Sequence, residues 1–463
     1  MNDDAPSLDS ELIASMDLRS LVTLYERRAQ LLHVGKAVDP RFELAAVTDA
    51  VQKSSNGPLM FDHVDRTAFS VVTNIYGSRS RIAEVVGIRP EDFGKRWSEL
   101  VSLGGNDQPA TRSANNEHTE SGRLGDLPLI TYCERDAGPY FTSAIFLGEE
   151  PDTKVRNLSF HRSMYISDTE LRVRLAPRHH LTIYQEKAEQ RGEPLEAALL
   201  IGVPPSLFLA AAAPVPYEAD ELQVAARLAG RPIPMRAGHR IAMDVPAEAE
   251  IVVEGRFLPN VRRAEGPFGE FMGYYTSGDN TVFEVLDVSW RPGAVFHSIL
   301  CGSPEEVLTL EVAVAANIYQ RVSAVLPGIR DVTCIPFVNH AVVKIDQQYE
   351  GHARQVLLAA FGAEPTWCKF CTVVDADVDI YNLSDVVWAI LTRPRADRGI
   401  MVLDSIPSFY RDPHKDHWGR VGIDATAPFD RRGEYERKRI PGAGAVDLSR
   451  YISNPGSLLG EVG

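Results

Sequence analysis

Cysteine, positive charge and long apolar runs are all scarce in this chain. It has five cysteines in 463 residues (Cys133, Cys301, Cys334, Cys368 and Cys371), an odd and widely spaced set that excludes a disulfide framework and reads as reduced thiols. Lys plus Arg number 48 against 63 Asp plus Glu, a formal charge of −15. That balance argues against nucleic acid or an anionic membrane as partner, because both need clustered cations. A small anionic ligand, which needs only a few local donors, stays open. The longest apolar stretch, 197–215, is interrupted by Pro204 and Pro205, so no membrane span is expected. The first ten residues are acidic and lack an apolar signal core, which leads us to expect a soluble, cytoplasmic protein. Common phosphate and nucleophile signatures are also missing: no Gly-x-Gly-x-x-Gly, no Walker lysine loop, no Gly-x-Ser-x-Gly and no His-Glu-x-x-His.

At 44% hydrophobic and 24% charged, the composition is that of a globular protein, and the length suits several domains. Apolar positions at helical spacing (Leu12, Ile13, Met16, Leu21, Leu24, Leu31, Leu32) predict one or two helices over 9–35. Short strands follow at 59–61 and 70–74, then a capped helix over 78–86. Residues 104–125 read as a polar linker. Beyond it, β-branched and aromatic runs at 129–133, 142–147, 157–165, 170–175, 251–257, 282–289 and 294–301 predict an antiparallel sheet or barrel, with helices at 180–191, 205–213 and 219–228. A long apolar helix is expected over 305–325. After it come strands at 332–336, 340–345 and 371–374, helices at 350–361 and 383–392, and an extended tail past 405. Cys368 and Cys371 form a lone Cys-x-x-Cys pair that reads as strand and turn cysteines, not a metal knuckle.

Three segments carry possible chemistry. Glu265-Gly-Pro-Phe-Gly-Glu270 brackets two carboxylates with turn residues. In an unbroken strand the two would face opposite ways, but Gly266-Pro267 and Gly269 permit a bend that aims both at one pocket. Two carboxylates near an arginine are a known way to keep one protonated and one ionised; a solvated turn is the other reading. In Lys154-Val-Arg-Asn-Leu-Ser-Phe-His-Arg-Ser-Met164, Asn157, Ser159 and His161 alternate on one face, with Arg162 on the other unless a bulge intervenes. A phosphate or metal site and a water-facing strand explain it equally. Pro177-Arg-His-His180 opens a helix, where phosphate binds readily, although a simple cap would look the same.

Together and in this order, these segments resemble the UbiD family of prenylated-FMN-dependent decarboxylases. Further runs agree: Asn74-Ile-Tyr-Gly-Ser-Arg-Ser-Arg81, Gly202-Val-Pro-Pro205, Ala211-Ala-Ala-Pro-Val-Pro216, Gly273-Tyr-Tyr275, Tyr349-Glu-Gly-His-Ala-Arg-Gln-Val356, Asp375-Ala-Asp-Val-Asp379 and Trp388-Ala389. The likeness runs from about residue 20 to 405. It departs at Arg236-Ala-Gly-His-Arg240, where many relatives carry Lys-Cys-Glu-Thr.

The resemblance implies a multi-domain α+β and α/β fold. Its parts would be an N-terminal α/β unit (1–110), a central split β-barrel that binds flavin (111–304), a linker helix (305–325), a C-terminal α/β oligomerisation domain (326–440) and a tail (441–463). It implies a carboxy-lyase with catalytic Arg162, Glu265 and Glu270. The implied cofactor is prenylated FMN, held by Asn157, Ser159, Arg162, His179, His180, Ala212, Pro214 and Glu221. Asn157, His180 and Glu221 would ligate Mn²⁺ or Mg²⁺, with K⁺ as a further ion; His180 is preferred to His179 because it keeps the family spacing. Phe271 and His179 would face the substrate, an aromatic, heteroaromatic or α,β-unsaturated acid, with decarboxylation and its reverse both open. A flavin prenyltransferase would supply the cofactor, and the enzyme would be a homodimer or larger. The rival readings are a plain FMN reductase on a split barrel and a non-catalytic subunit of a decarboxylase complex.

Overall fold

The computed structural model describes residues 13–89, 92–101, 109–112, 118–407, 409, 419–442, 446, 450 and 451. The expectations for residues 1–12 and most of the 104–125 linker lie outside these. In the helix Leu18–Arg27 the Asp17 side chain accepts the Ser20 amide, and Leu18, Leu21, Val22 and Tyr25 are buried at helical spacing. The helix expected to continue to residue 35 stops here. Ala29 takes a positive φ of 53°, and Leu32–Val34 is a strand paired in parallel with Leu59–Phe61. Local periodicity lost to tertiary pairing. The helix Arg79–Val86 forms where its cap signals put it, between Ser78 and a left-handed Gly87.

Leu59–Phe61 pairs next with Ser70–Thr73, and the fourth strand of this sheet is Val295–His297, over 200 residues downstream. The N-terminal sheet is therefore completed by chain that returns from the central sheet.

The central sheet has nine strands. Its pairing path runs Tyr140–Phe141, Ser163–Ser167, Glu170–Val173, Tyr275–Trp290, Ile251–Gly269, Leu195–Ile201, Ile145–Glu149, Arg156–Phe160, with Glu120–Ser121 added on Tyr275–Trp290. The path is open, and no closed barrel forms among the described residues. Phe146, Phe257 and Phe283 pack at its centre with ring separations of 4.9 to 5.3 Å. Two expectations fail here. Residues 129–133 make only a bridge from Thr131 to Arg41, because their backbone groups bond to Pro40, Phe42 and Tyr140 instead of a ladder. The run 157–165 is two strands broken at His161-Arg162. The first is the last strand of the path and the second lies next to its opposite end, so two residues join the sheet's two ends.

Helix Pro304–Ser323 buries Val312, Ala315, Ile318 and Val322 and packs on the C-terminal sheet. That sheet runs Ile329–Cys334, His340–Ile345, Phe370–Asp375, Gly419–Ala425, Ile400–Asp404, with the middle three strands parallel. The tail expected to be extended past 405 thus supplies an interior strand. Its Pro-, Arg- and Asp-rich composition hides this, because buried Arg420 donates from Nη1 to the carbonyls of Phe361, Glu364 and Cys368. Cys368 and Cys371 are both buried. Among the described residues no helix is long and apolar enough to cross a membrane.

Candidate functional site

Arg162 leaves the joint between the sheet's two ends, so its side chain reaches the mouth of the long hairpin Ile251–Gly269 and Tyr275–Trp290. The hairpin ladder slips between Glu265 and Phe268, at a cis Gly266-Pro267 peptide. Gly266 has φ +92°, and a Cβ there would lie 2.6 Å from the Thr276 carbonyl oxygen, so only glycine fits. This bend cancels the strand alternation and turns Glu265 and Glu270 to the same guanidinium.

Arg162 donates from Nε (3.1 Å) and Nη2 (2.7 Å) to the two Glu265 oxygens, a bidentate fork. Its Nη1 donates to Glu270 and, at 2.9 Å, to Thr276 Oγ1. Glu265 also accepts from Tyr140 Oη and Asn280 Nδ2, each at 2.8 Å. Side-chain exposure is 7% for Arg162, 0% for Glu265 and 2% for Glu270, so the charges face one another out of water. The guanidinium lies 4.7 Å from the Phe268 ring centre. Burial, then the Glu265 charge, pushes the Tyr140 hydroxyl far above its ordinary range, which keeps it a hydrogen-bond donor. Tyr140, Thr276 and Asn280 were absent from the sequence reading. No local pattern marks them: Tyr140 lies on one strand and Thr276 and Asn280 on another, and they meet Glu265 or Arg162 only in the folded sheet.

A second cluster lies along Arg156–Phe160. Glu221, the first residue of helix Glu221–Ala229, accepts from Asn157 Nδ2 (2.8 Å) and from the Leu158 amide (3.0 Å), while His180 Nδ1 stands 3.7 Å away. Ser159 Oγ donates to Asn157 Oδ1 (2.7 Å) and lies 2.9 Å from His161 Nε2. Burial pushes the Glu221 carboxyl above the usual range, opposed by His180 and the Leu158 amide. The Tyr184 hydroxyl in the same cluster is buried without a hydrogen-bond partner. The donors gathered here are oxygen and nitrogen without thiolate, a set suited to Mn²⁺ or Mg²⁺. His180 and His179 diverge. His180 opens helix His180–Gln190 beside Glu221, whereas His179 precedes it, with its ring 6.0 Å from that of His161.

Two cavities adjoin these clusters. One of about 120 Å³ is lined by Arg162, Glu270, Phe268, Thr142 and Arg174. The other, about 290 Å³, is lined by Asn157, Ser159, His180, Ala212, Pro214 and Glu221. Phe160, His179, Leu310 and Trp367 line both, so the two cavities adjoin and share a wall. Ala211, Ala212, Ala213 and Pro214 form part of the wall of the larger of the two. Phe271 borders the smaller cavity, but its ring packs on Phe337, Trp367 and Phe409 of the C-terminal part at 5.6 to 5.8 Å.

Two other places lack this convergence. In a larger cavity of about 800 Å³ in the C-terminal part, Arg393 is paired with Asp375 and Asp377, and Arg437 with Asp385. At the divergent Arg236–Arg240 segment, His239, Glu254 and Asp287 lie close together. The Glu254 oxygens, however, accept the His239 and Arg240 amides (2.9 and 2.7 Å) and face Arg236. That segment wraps a buried glutamate and lines neither of the two cavities described above.

Three family models match the chain in order: the 3-octaprenyl-4-hydroxybenzoate carboxy-lyase N-terminal domain over 22–101, its Rift-related domain over 105–304 and its C-terminal domain over 307–425. The anhydromevalonate phosphate decarboxylase of Methanothermobacter thermautotrophicus is 32% identical over 88% of this chain and 96% of its own. Among solved structures, the UbiD-class enzyme HmfF from Pelotomaculum thermopropionicum in complex with FMN is 34% identical, covering 94% of this chain and all of its own, with a TM-score of 0.89. An evolved dimeric form of that enzyme in complex with prenylated FMN is 33% identical over the same shares, with a TM-score of 0.86.

Proposed function

The chain belongs to the UbiD family of carboxy-lyases, and on that premise we propose that it decarboxylates an aromatic, heteroaromatic or α,β-unsaturated carboxylic acid with prenylated FMN. The observation that carries this reading is the buried Arg162, Glu265 and Glu270 set, whose Arg162 and Glu270 line a cavity adjoining that of Asn157, His180 and Glu221. When bound, prenylated FMN supplies an electron sink for the carbon that loses CO₂. Asn157, His180 and Glu221 would hold Mn²⁺ or Mg²⁺, and Ser159, His179, Ala212 and Pro214 would line the flavin's berth, with K⁺ as a further ion.

The chain's own groups handle the carboxylate and the proton. Of the five N–H donors of Arg162, four are engaged, two on Glu265 and two on Glu270 and Thr276. A substrate carboxylate that takes a bidentate hold must therefore displace Glu270 or Thr276 from Nη1, and in this reading it displaces Glu270. Arg162 stays aimed because Glu265 keeps its fork. The released Glu270 is then free to turn to the reacting carbon. Once off Arg162, the Glu270 carboxylate takes a proton from water; the bond to the carboxyl carbon breaks, CO₂ departs, and Glu270 gives that proton to the carbon that held it. One proton is thus consumed per CO₂ released, and Glu270 returns to Arg162 as the carboxylate.

Residues 1–110, 111–304 and 326–440 are read as the N-terminal unit, flavin-binding domain and oligomerisation domain, joined by the helix at 305–325 and followed by a tail from 441. The central sheet is taken as a split barrel, a reading supported by the His161-Arg162 joint that draws the two ends of its path together. The enzyme would work as a cytoplasmic homo-oligomer, loaded by a flavin prenyltransferase. The test is co-expression with such a prenyltransferase, followed by mass and absorbance of the bound flavin and by CO₂ release from benzoates, furoates and 2-enoates. Prenylated FMN and turnover of at least one acid are expected. Plain FMN, or no flavin together with no turnover, would overturn the proposal.

A further inference from the structure

Glu270 stands one residue beyond the strand Ile251–Gly269, so its side chain is aimed by the backbone at Gly269. Inside the hairpin the Glu270 amide donates to the Tyr274 carbonyl at 3.0 Å. On the outer side the bend is gripped by the segment Cys133–Ala137. The Ala137 amide donates to the Pro267 carbonyl at 2.8 Å, and the Arg135 amide donates to Tyr275 Oη at 3.3 Å. Between these contacts lies Asp136. Its Oδ1 accepts the Gly269 amide at 2.8 Å, and its Oδ2 accepts the Cys133 amide at 2.8 Å. The approach is close: a Cβ at Gly269 would come within 2.8 Å of Cys133 Sγ.

We propose that Asp136 is a positioning residue for the proton donor: by holding the Gly269 amide, its carboxylate sets where the Glu270 carboxylate stands relative to Arg162 and the cavity. This rests on the reading of Glu270 given above. The geometry calls for a carboxylate in particular, because two amides donate to its two different oxygens and a carboxamide has only one acceptor oxygen. Burial pushes the Asp136 carboxyl above its ordinary range, with the Cys133 and Gly269 amides and the Arg162 charge acting against that shift. A surface turn residue would carry no such desolvation cost. Asp136 lines neither of the two cavities, and its direct hold on the bend is through the Gly269 amide, with its charge also acting on Arg162.

The test uses the full chain with Asp136→Ala and Asp136→Asn. Hydrogen exchange of the peptide 264–272, measured without flavin, is expected to quicken roughly tenfold in the alanine variant and less in the asparagine variant. With prenylated FMN loaded to the parent level, kcat is expected to fall on the order of 100-fold for Asp136→Ala and to recover partly in Asp136→Asn, with KM within about twofold of the parent. Should the alanine variant fail to fold, Asp136→Asn carries the same comparison. Unchanged exchange at 264–272, or a loosened bend with unchanged kcat, would overturn the proposal. If the parent turns over no acid, the decarboxylase reading falls, and the exchange measurement alone still decides whether Asp136 holds the bend.

Discussion

Arg162 donates to both Glu265 and Glu270, with Tyr140, Thr276 and Asn280 completing the set, whereas His180 stops 3.7 Å short of Glu221 and the buried Tyr184 hydroxyl beside them has no hydrogen-bond partner. Both clusters bury carboxylates on the same sheet, and they solve the cost of doing so differently. In the first, the protein itself supplies the opposite charge and the donors, so the geometry exists before any ligand arrives. In the second, desolvated Glu221 has two donors and a distant imidazole. On the function proposed above, a bound metal would complete this cluster.

The contrast is broken most strongly at Glu270. Glu270→Gln is expected to lower kcat by roughly 10² to 10⁴-fold, the usual worth of a placed general acid, while flavin and metal content stay at the parent level. A variant turning over near the parent rate would remove Glu270 from the proton-donor role. Next comes Glu265→Ala, which leaves the Arg162 charge buried without its fork. Loss of one partner of a buried pair costs about 3–5 kcal/mol, read from the urea midpoint, and the loss is expected with or without metal. If added Mn²⁺ and flavin restored that stability, the first cluster would be as ligand-dependent as the second.

The second cluster is tested by removing and returning the metal. A metal that binds only the folded chain stabilises it by about 2.7 kcal/mol at 100 times its dissociation constant. Thermal unfolding is therefore expected to shift upward with Mn²⁺ in the parent and to shift little in Glu221→Gln. An equal Mn²⁺ shift in both proteins would mean that Glu221 is not a ligand.

How far the sequence foretold these two clusters depended on whether their signals were local. The Gly266-Pro267 and Gly269 bend was readable, because glycine and proline state their backbone needs at the position itself. Residues of both clusters were reached by resemblance, and alternation alone set Arg162 on the wrong face. What alternation missed is the break at His161-Arg162, a consequence of the sheet's two ends meeting, which no window of neighbouring residues contains. The same reason hid Val295–His297 in the N-terminal sheet and Gly419–Ala425 inside the C-terminal one. Residues 129–133 failed in the opposite sense: their composition suits a strand, but their amides and carbonyls are taken by the Pro40–Phe42 loop. Asp136 was invisible for a related reason, since its partner, Gly269, is 133 residues away.

The smallest expected effect is the most discriminating about the first cluster. Thr276 Oγ1 accepts from Arg162 Nη1 at 2.9 Å and lies 3.4 Å from Glu270, so it touches both members without carrying charge. Thr276→Val keeps the shape and removes that acceptor. If the cluster is a set of individually satisfied bonds, the loss is about 1 kcal/mol in the urea midpoint, the net worth of a single hydrogen bond. The Mn²⁺ shift should stay at the parent size, because nothing near Glu221 has changed. A loss of 3 kcal/mol or more, comparable to that of Glu265→Ala, would mean that the hydroxyl orients the whole network and that Arg162 is not aimed by Glu265 alone. No loss at all would mean that Glu270 takes over the N–H given up by Thr276. In that case the same oxygen that must leave Arg162 for the substrate carbon would be held more tightly, and kcat would fall although stability had not changed.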